Sequence, residues 1–138
     1  MPATPAPSTT SVNPWPWSAA LGYDQGRLIE GAPARRLICA GQTATDARGR
    51  PCHAGDMGAQ LEMALDNLEA VLAAAGMGLA DLVRLSVFVT DMDAALAEYG
   101  RLAARLGRAG ATPPATLLGV ARLARPELVV EIEAEAVA

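Results

Sequence analysis

Along residues 128–137 apolar and acidic positions alternate: Leu128, Val130, Ile132, Ala134 and Ala136 fall on one side, Glu131, Glu133 and Glu135 on the other. A period of two is that of a strand with one face in a core. Carboxylates ~7 Å apart along one strand face repel one another, so the row calls for a donor partner or an opening that water or a ligand can reach. Upstream, Thr112-Pro113-Pro114 excludes helix and sets an extended entry to a second strand at residues 115–120, with Pro126 marking the turn before the acidic strand. Residues 82–90 alternate again, Val83, Leu85, Val87 and Val89 against Arg84, Ser86, Phe88 and Thr90, which predicts a strand with one wholly apolar face.

Between these strands the period changes. Leu61, Leu65, Leu68, Leu72 and Ala75 recur at spacings of four and three behind Asp56, an N-cap residue, and stop at Gly76. Glu62, Asp66, Asn67 and Glu69 on the other face read as solvation. A second helix is expected from about Asp91, with Leu96, Tyr99, Ala103 and Leu106 on one face and Gly107 and Gly110 at its end. Toward the N-terminus, residues 21–26 and 27–30 read as short extended pieces and residues 35–44 as a stronger strand, the last two paired as a hairpin through Gly31-Ala32-Pro33. Gly41 inside that strand points to a bulge or a close approach of backbone to a ligand. The order β-β-β-α-β-α-β-β gives too few helices to cover both faces of a sheet, so one face is expected to pack on another copy of the chain.

Residues 1–12, rich in Pro, Ser and Thr, are expected to be a disordered arm, and residues 13–138 a single domain. Asn13-Pro14-Trp15-Pro16-Trp17 is expected to be extended, its two tryptophans stapling the arm to the body or lining a pocket. A net charge of −4 argues against nucleic-acid and anionic-membrane partners. No transmembrane span or signal peptide is recognised, and the expected compartment is the cytoplasm. Two cysteines and the lone His53 make neither a disulfide framework nor a zinc site, so no metal is expected. All eleven basic residues are arginine, so no side-chain amine is present to form a Schiff base.

Several segments then carry a family resemblance. Gly22-Tyr23-Asp24-Gln25-Gly26, Ile38-Cys39-Ala40-Gly41-Gln42, residues 60–76 and 87–91, Pro113 through Leu123, and Val130-Glu131-Ile132-Glu133-Ala134 together resemble the YjgF/RidA family from residue 21 to the C-terminus. The resemblance implies an α+β, chorismate-mutase-like fold, with a mixed six-stranded sheet and two helices on one face. It also implies a homotrimeric barrel with small-molecule clefts between subunits, and hydrolysis of reactive imines or enamines without cofactor or metal.

Carried over by position, the family's cleft tyrosine falls on Tyr23, its Gly-Gln corner on Gly41-Gln42, and its cleft glutamate on Glu131. Glu131 and Tyr23 are thus the candidate catalytic pair. Cys39, Ala40, Gly41, Gln42, Leu96, Ala115, Thr116 and Leu117 are the candidate substrate-binding positions. Three positions depart from the family pattern: its carboxylate-binding arginine is Ala115, the serine before the Gly-Gln corner is Ala40, and an asparagine in the second helix is Leu96. A bidentate arginine–carboxylate contact is worth ~1.5–3 kcal/mol, which a methyl group cannot replace. The expected substrate is therefore an imine, enamine or related nitrogen compound other than a standard 2-imino acid. Two other readings stay open on the same scaffold: a non-hydrolytic tautomerase or cyclisation aid, and a ligand-binding trimer without turnover.

Overall fold

The computed structural model describes residues 8–32 and 35–138. Its elements are β1 (Ser8–Val12), β2 (Gly26–Glu30), β3 (Arg36–Gln42), α1 (Met57–Ala74), β4 (Leu82–Val89), α2 (Met92–Arg108), β5 (Ala115–Gly119) and β6 (Val130–Val137). β3, β6, β4 and β5 lie side by side in that order, β4 and β5 parallel and the other pairs antiparallel. Both helices pack on one face of this mixed sheet. Leu61, Leu65, Leu68 and Leu72 of α1 are buried there, with Leu85, Val87 and Val89 of β4 and Val130, Ile132, Ala134 and Ala136 of β6. The Asp56 carboxylate accepts the Ala59 N–H at 3.0 Å and that of Asp91 the Ala94 N–H at 3.0 Å, so both helices begin where their capping residues placed them. Among the described residues no helix is long and apolar enough to cross a membrane.

The N-terminal third departs from expectation. Residues 8–12, expected to be disordered, form β1, which pairs with β2 from Ser8–Glu30 to Val12–Gly26; residues 1–7 lie outside the described residues. The six strands are therefore divided between a four-stranded sheet and a two-stranded ribbon rather than joined in one sheet. The expected hairpin does not form: β2 takes β1 as its partner and β3 takes β6. The stretch Asn13 to Trp17, expected to be extended throughout, turns at Pro16 into a 3-10 helix, Pro16–Leu21, closed by Gly22. Pro16 sits at its first turn, where a missing N–H costs nothing.

The polar face of α1 is also more than solvation. Arg105 of α2 crosses to Glu62, Asp66 and Glu69, with N–O distances of 3.2, 2.5 and 2.6 Å, and also donates to the Glu62 carbonyl. Asn67 donates to the carbonyls of Thr43 and Thr45 at 2.8 and 3.0 Å, anchoring the turn after β3.

Asp24 holds the N-terminal segment to the body. Its buried carboxylate accepts from Ser11 (2.6 Å), Asn13 (2.8 Å), Arg27 (2.6 Å) and Thr112 (2.9 Å), while its N–H donates to the Thr112 carbonyl at 3.0 Å. Burial alone pushes this carboxyl up, but the four side-chain donors outweigh it and hold the pKa at about 2. A carboxyl lowered on folding stabilises the fold above its unfolded pKa of about 3.9 and loses that contribution as pH falls through its folded value. Wild type is therefore expected to lose roughly 2 kcal/mol more than Asp24→Asn between pH 5 and pH 2. Urea midpoints measured across that range test this, and parallel curves for the two proteins would discount the carboxylate.

Candidate functional site

Beside the edge strand β5 lies a cavity of ≈ 280 Å³. One wall is the start of β5, where Ala115, Thr116 and Leu117 follow the two prolines, backed by Leu85 and Val87 of β4. A second is α2, through Leu96, Tyr99, Leu102, Ala103 and Leu106. The third is Leu21-Gly22-Tyr23, the turn that closes the 3-10 helix. Five candidate positions thus meet here: Tyr23, Leu96, Ala115, Thr116 and Leu117. Leu96, which shares the apolar face of α2, is 57% exposed and faces this opening. The reason is the place of α2 at the sheet edge, where one end of its apolar stripe runs past the last strand.

The lining holds no charged side chain. The Tyr99 hydroxyl donates to the Leu21 carbonyl at 3.0 Å, and burial, aided by nearby Tyr23, pushes its pKa up. Tyr23 hydroxyl has no protein hydrogen-bond partner among the described residues, and its ring meets Trp17 edge-on at 6.1 Å between centroids. Trp17 is itself 57% exposed. Trp15 stays outside the cavity, against Val12, Pro14 and Gln25.

Glu131 lies elsewhere. The β3–β6 register shifts between Cys39 and Gln42, the bulge that Gly41 signalled. The bulge brings Gly41 under the Glu131 side chain: a Cβ built on Gly41 would stand 2.1 Å from Glu131 Oε1 and 2.7 Å from Cδ. Any other residue at position 41 would displace this carboxylate. Among the described residues Glu131 has no hydrogen-bond or ion-pair partner, whereas Glu135 pairs with Arg36 at 2.9 Å, supplying the donor the acidic row required. Gln42 turns back to donate to the Ala40 carbonyl at 3.2 Å, and Ala40 is exposed. Cys39 is buried in the main core, and burial raises its thiol pKa, so it packs there and does not reach the cavity.

The two groups sit on opposite faces of one sheet. Ala115 and Leu117 pair with Leu85 and Val87 on the helix side, while Glu131 pairs with Phe88, whose side alternates with them. β4 intervenes between β5 and β6, which sets the strands roughly 10 Å apart. Within a single chain the Tyr23 cavity and Glu131 thus lie apart. Among the described residues no three His, Cys, Asp or Glu side chains converge as metal ligands. Beyond Leu96, sequence reasoning missed the rest of the α2 wall (Tyr99, Leu102, Ala103 and Leu106), whose signal was the apolar stripe that α2 carries past the sheet, and it missed Leu21 and Asp24, the anchor of the tyrosine turn.

Comparison with known proteins places this geometry. A family model described as Endoribonuclease L-PSP matches residues 18–138. Protein DfrA of Myxococcus xanthus is 34% identical over 124 residues, 88% of this chain and 85% of its own. The 2-iminobutanoate/2-iminopropanoate deaminase of Escherichia coli K12 is 33% identical over 117 residues, 84% of each chain. Among solved structures, the Rid-family protein YyfB of Yersinia pestis, described as of unknown function, superposes with a TM-score of 0.81 at 33% identity, over 94% of this chain and 98% of its own. With the matched model covering nearly the whole domain, and both the fold and the relatives agreeing with it, this chain belongs to the YjgF/RidA family.

Proposed function

We propose that the protein is a cofactor-free hydrolase of small imines or enamines, working as a homotrimer in the cytoplasm, and that its substrate is not a standard 2-imino acid. The observation that carries this reading is the pairing of a free carboxylate, Glu131 over Gly41, with a cavity whose family arginine position is Ala115. Since the half-sites of one chain face opposite ways, the site is completed when Glu131 of one subunit meets the Tyr23 cavity of another across an interface. The exposed sheet face, with Ile38 67% and Leu118 49% accessible, supplies apolar area for such an interface.

In the proposed reaction Glu131 takes a proton from water as the water oxygen bonds to the imine carbon. The C=N electron pair moves to nitrogen, which takes that proton from Glu131, giving a neutral carbinolamine and restoring the carboxylate. Glu131 then takes the carbinol hydroxyl proton as the C=O bond forms and delivers it to the nitrogen as the C–N bond breaks. The products are a carbonyl compound and ammonia or an amine. The Tyr23 hydroxyl, uncommitted among the described residues, hydrogen-bonds the nitrogen or the new oxygen in this reading.

Two measurements test the reading. Ammonia release from neutral imines generated in situ should be accelerated by the protein. Light scattering on a sizing column should return about three times 14.2 kDa at micromolar concentration. A monomer would remove the interfacial site, and a trimer inert toward every neutral imine and enamine would favour a binding role.

A further inference from the structure

The cavity beside β5 is more specific than the lack of an arginine alone requires. We infer that it receives an uncharged, apolar group the size of two fused rings, so that the substrate is a neutral aryl or bulky alkyl imine or enamine; this rests on the reading of the site above.

The size follows from the volume. A cavity of about 150 Å³ lined by aliphatic side chains holds one benzene ring, and this one measures ≈ 280 Å³. The chemistry follows from the walls. Leu85, Val87, Leu102 and Leu106 form the floor, Ala103 and Ala115 leave the space that larger residues would fill, and Leu96 stands at the mouth. The Tyr99 hydroxyl is spent on the Leu21 carbonyl, and Thr116, which pairs with Ser86, turns its side chain to the other face of the sheet, leaving the Tyr23 hydroxyl as the polar side-chain group of the lining available to a ligand. A carboxylate entering such a space would lose its hydration and find no cation, whereas an apolar group gains by leaving water. The recognised molecule therefore carries its polar imine end toward Tyr23 and its apolar body along α2.

Calorimetric titration of the intact protein with indole, a neutral bicycle, and with indole-2-carboxylate, its charged counterpart, tests this without any need for turnover. Indole should bind on the order of tenfold or more tightly than the carboxylate. Ala103→Trp, which fills the space from the half-buried side of α2, should weaken indole binding on the order of tenfold or more, with the oligomer and its melting temperature retained. If that variant does not fold, Leu96→Trp at the exposed mouth should weaken the binding in the same direction. Equal or tighter binding of the carboxylate, or indole binding untouched by either variant, as at the Trp15 groove, would overturn the inference. So would a failure of indole to bind at all, the result expected if a neighbouring subunit fills the cavity. Selective binding of indole without hydrolysis of any neutral imine would leave this inference standing and overturn the proposed reaction instead.

Discussion

Glu131→Gln is expected to cut imine or enamine turnover by roughly 10²–10⁴ while leaving the oligomer unchanged. The substitution keeps the shape of a half-buried side chain that has no partner among the described residues, so little folding energy is at stake. What it removes is the ability to accept a proton from water. Gly41 strengthens the expectation, because the bulge leaves room at that point for this one carboxylate and no Cβ. Steady-state rates for the two proteins, with sizing of each, decide the matter. An unchanged rate would reduce Glu131 to a member of a solvated row with Glu133 and Glu135.

Ala115→Arg is the second large effect. Wild type should hydrolyse 2-imino acids made in situ by an amino-acid oxidase weakly or not at all, since no cation lines the cavity. A guanidinium at position 115 starts on the helix side of β5, in a wall of a ≈ 280 Å³ space able to contain it. It should raise activity on these substrates by about 10- to 150-fold, the kinetic equivalent of a ~1.5–3 kcal/mol charge-assisted contact. Efficient turnover of 2-iminobutyrate by wild type would mean that an arginine from elsewhere already serves. A folded, inactive variant would mean that Leu96 and Ala40 have rebuilt the site beyond the reach of one substitution.

The parts of this fold that could be read in advance are those in which one short period meets one environment. The alternation through Val130, Ile132, Ala134 and Ala136 and the leucine spacing of α1 each face a single continuous core, and those strand residues and leucines are buried in it. β1 has no such signal: Ser-Thr-Thr-Ser-Val is exposed throughout, and its place comes from pairing with β2 and from the distant Asp24. Arg105 and its three carboxylates are likewise separated by 36 to 43 positions, so acidic residues that look solvated on α1 alone turn out to be joined to α2. At the site, the residue types were legible but their grouping was not. Strand alternation tells which residues share a face of one strand, but the order β3-β6-β4-β5, which puts Glu131 and Ala115 on different sides and two strands apart, is a tertiary fact.

The Asp24 anchor also separates two tasks that many binding sites assign to the same residues. The turn bearing Tyr23 and the chain entering β5 are tied by the Asp24 and Arg27 contacts to Thr112, none of which lines the cavity. Leu96, Ala115 and Leu117, which set its polarity and depth, take no part in that tie. The lining can therefore diverge from one descendant chain to the next while the frame around it keeps its shape, so that a new ligand preference is open to single substitutions at the sheet edge.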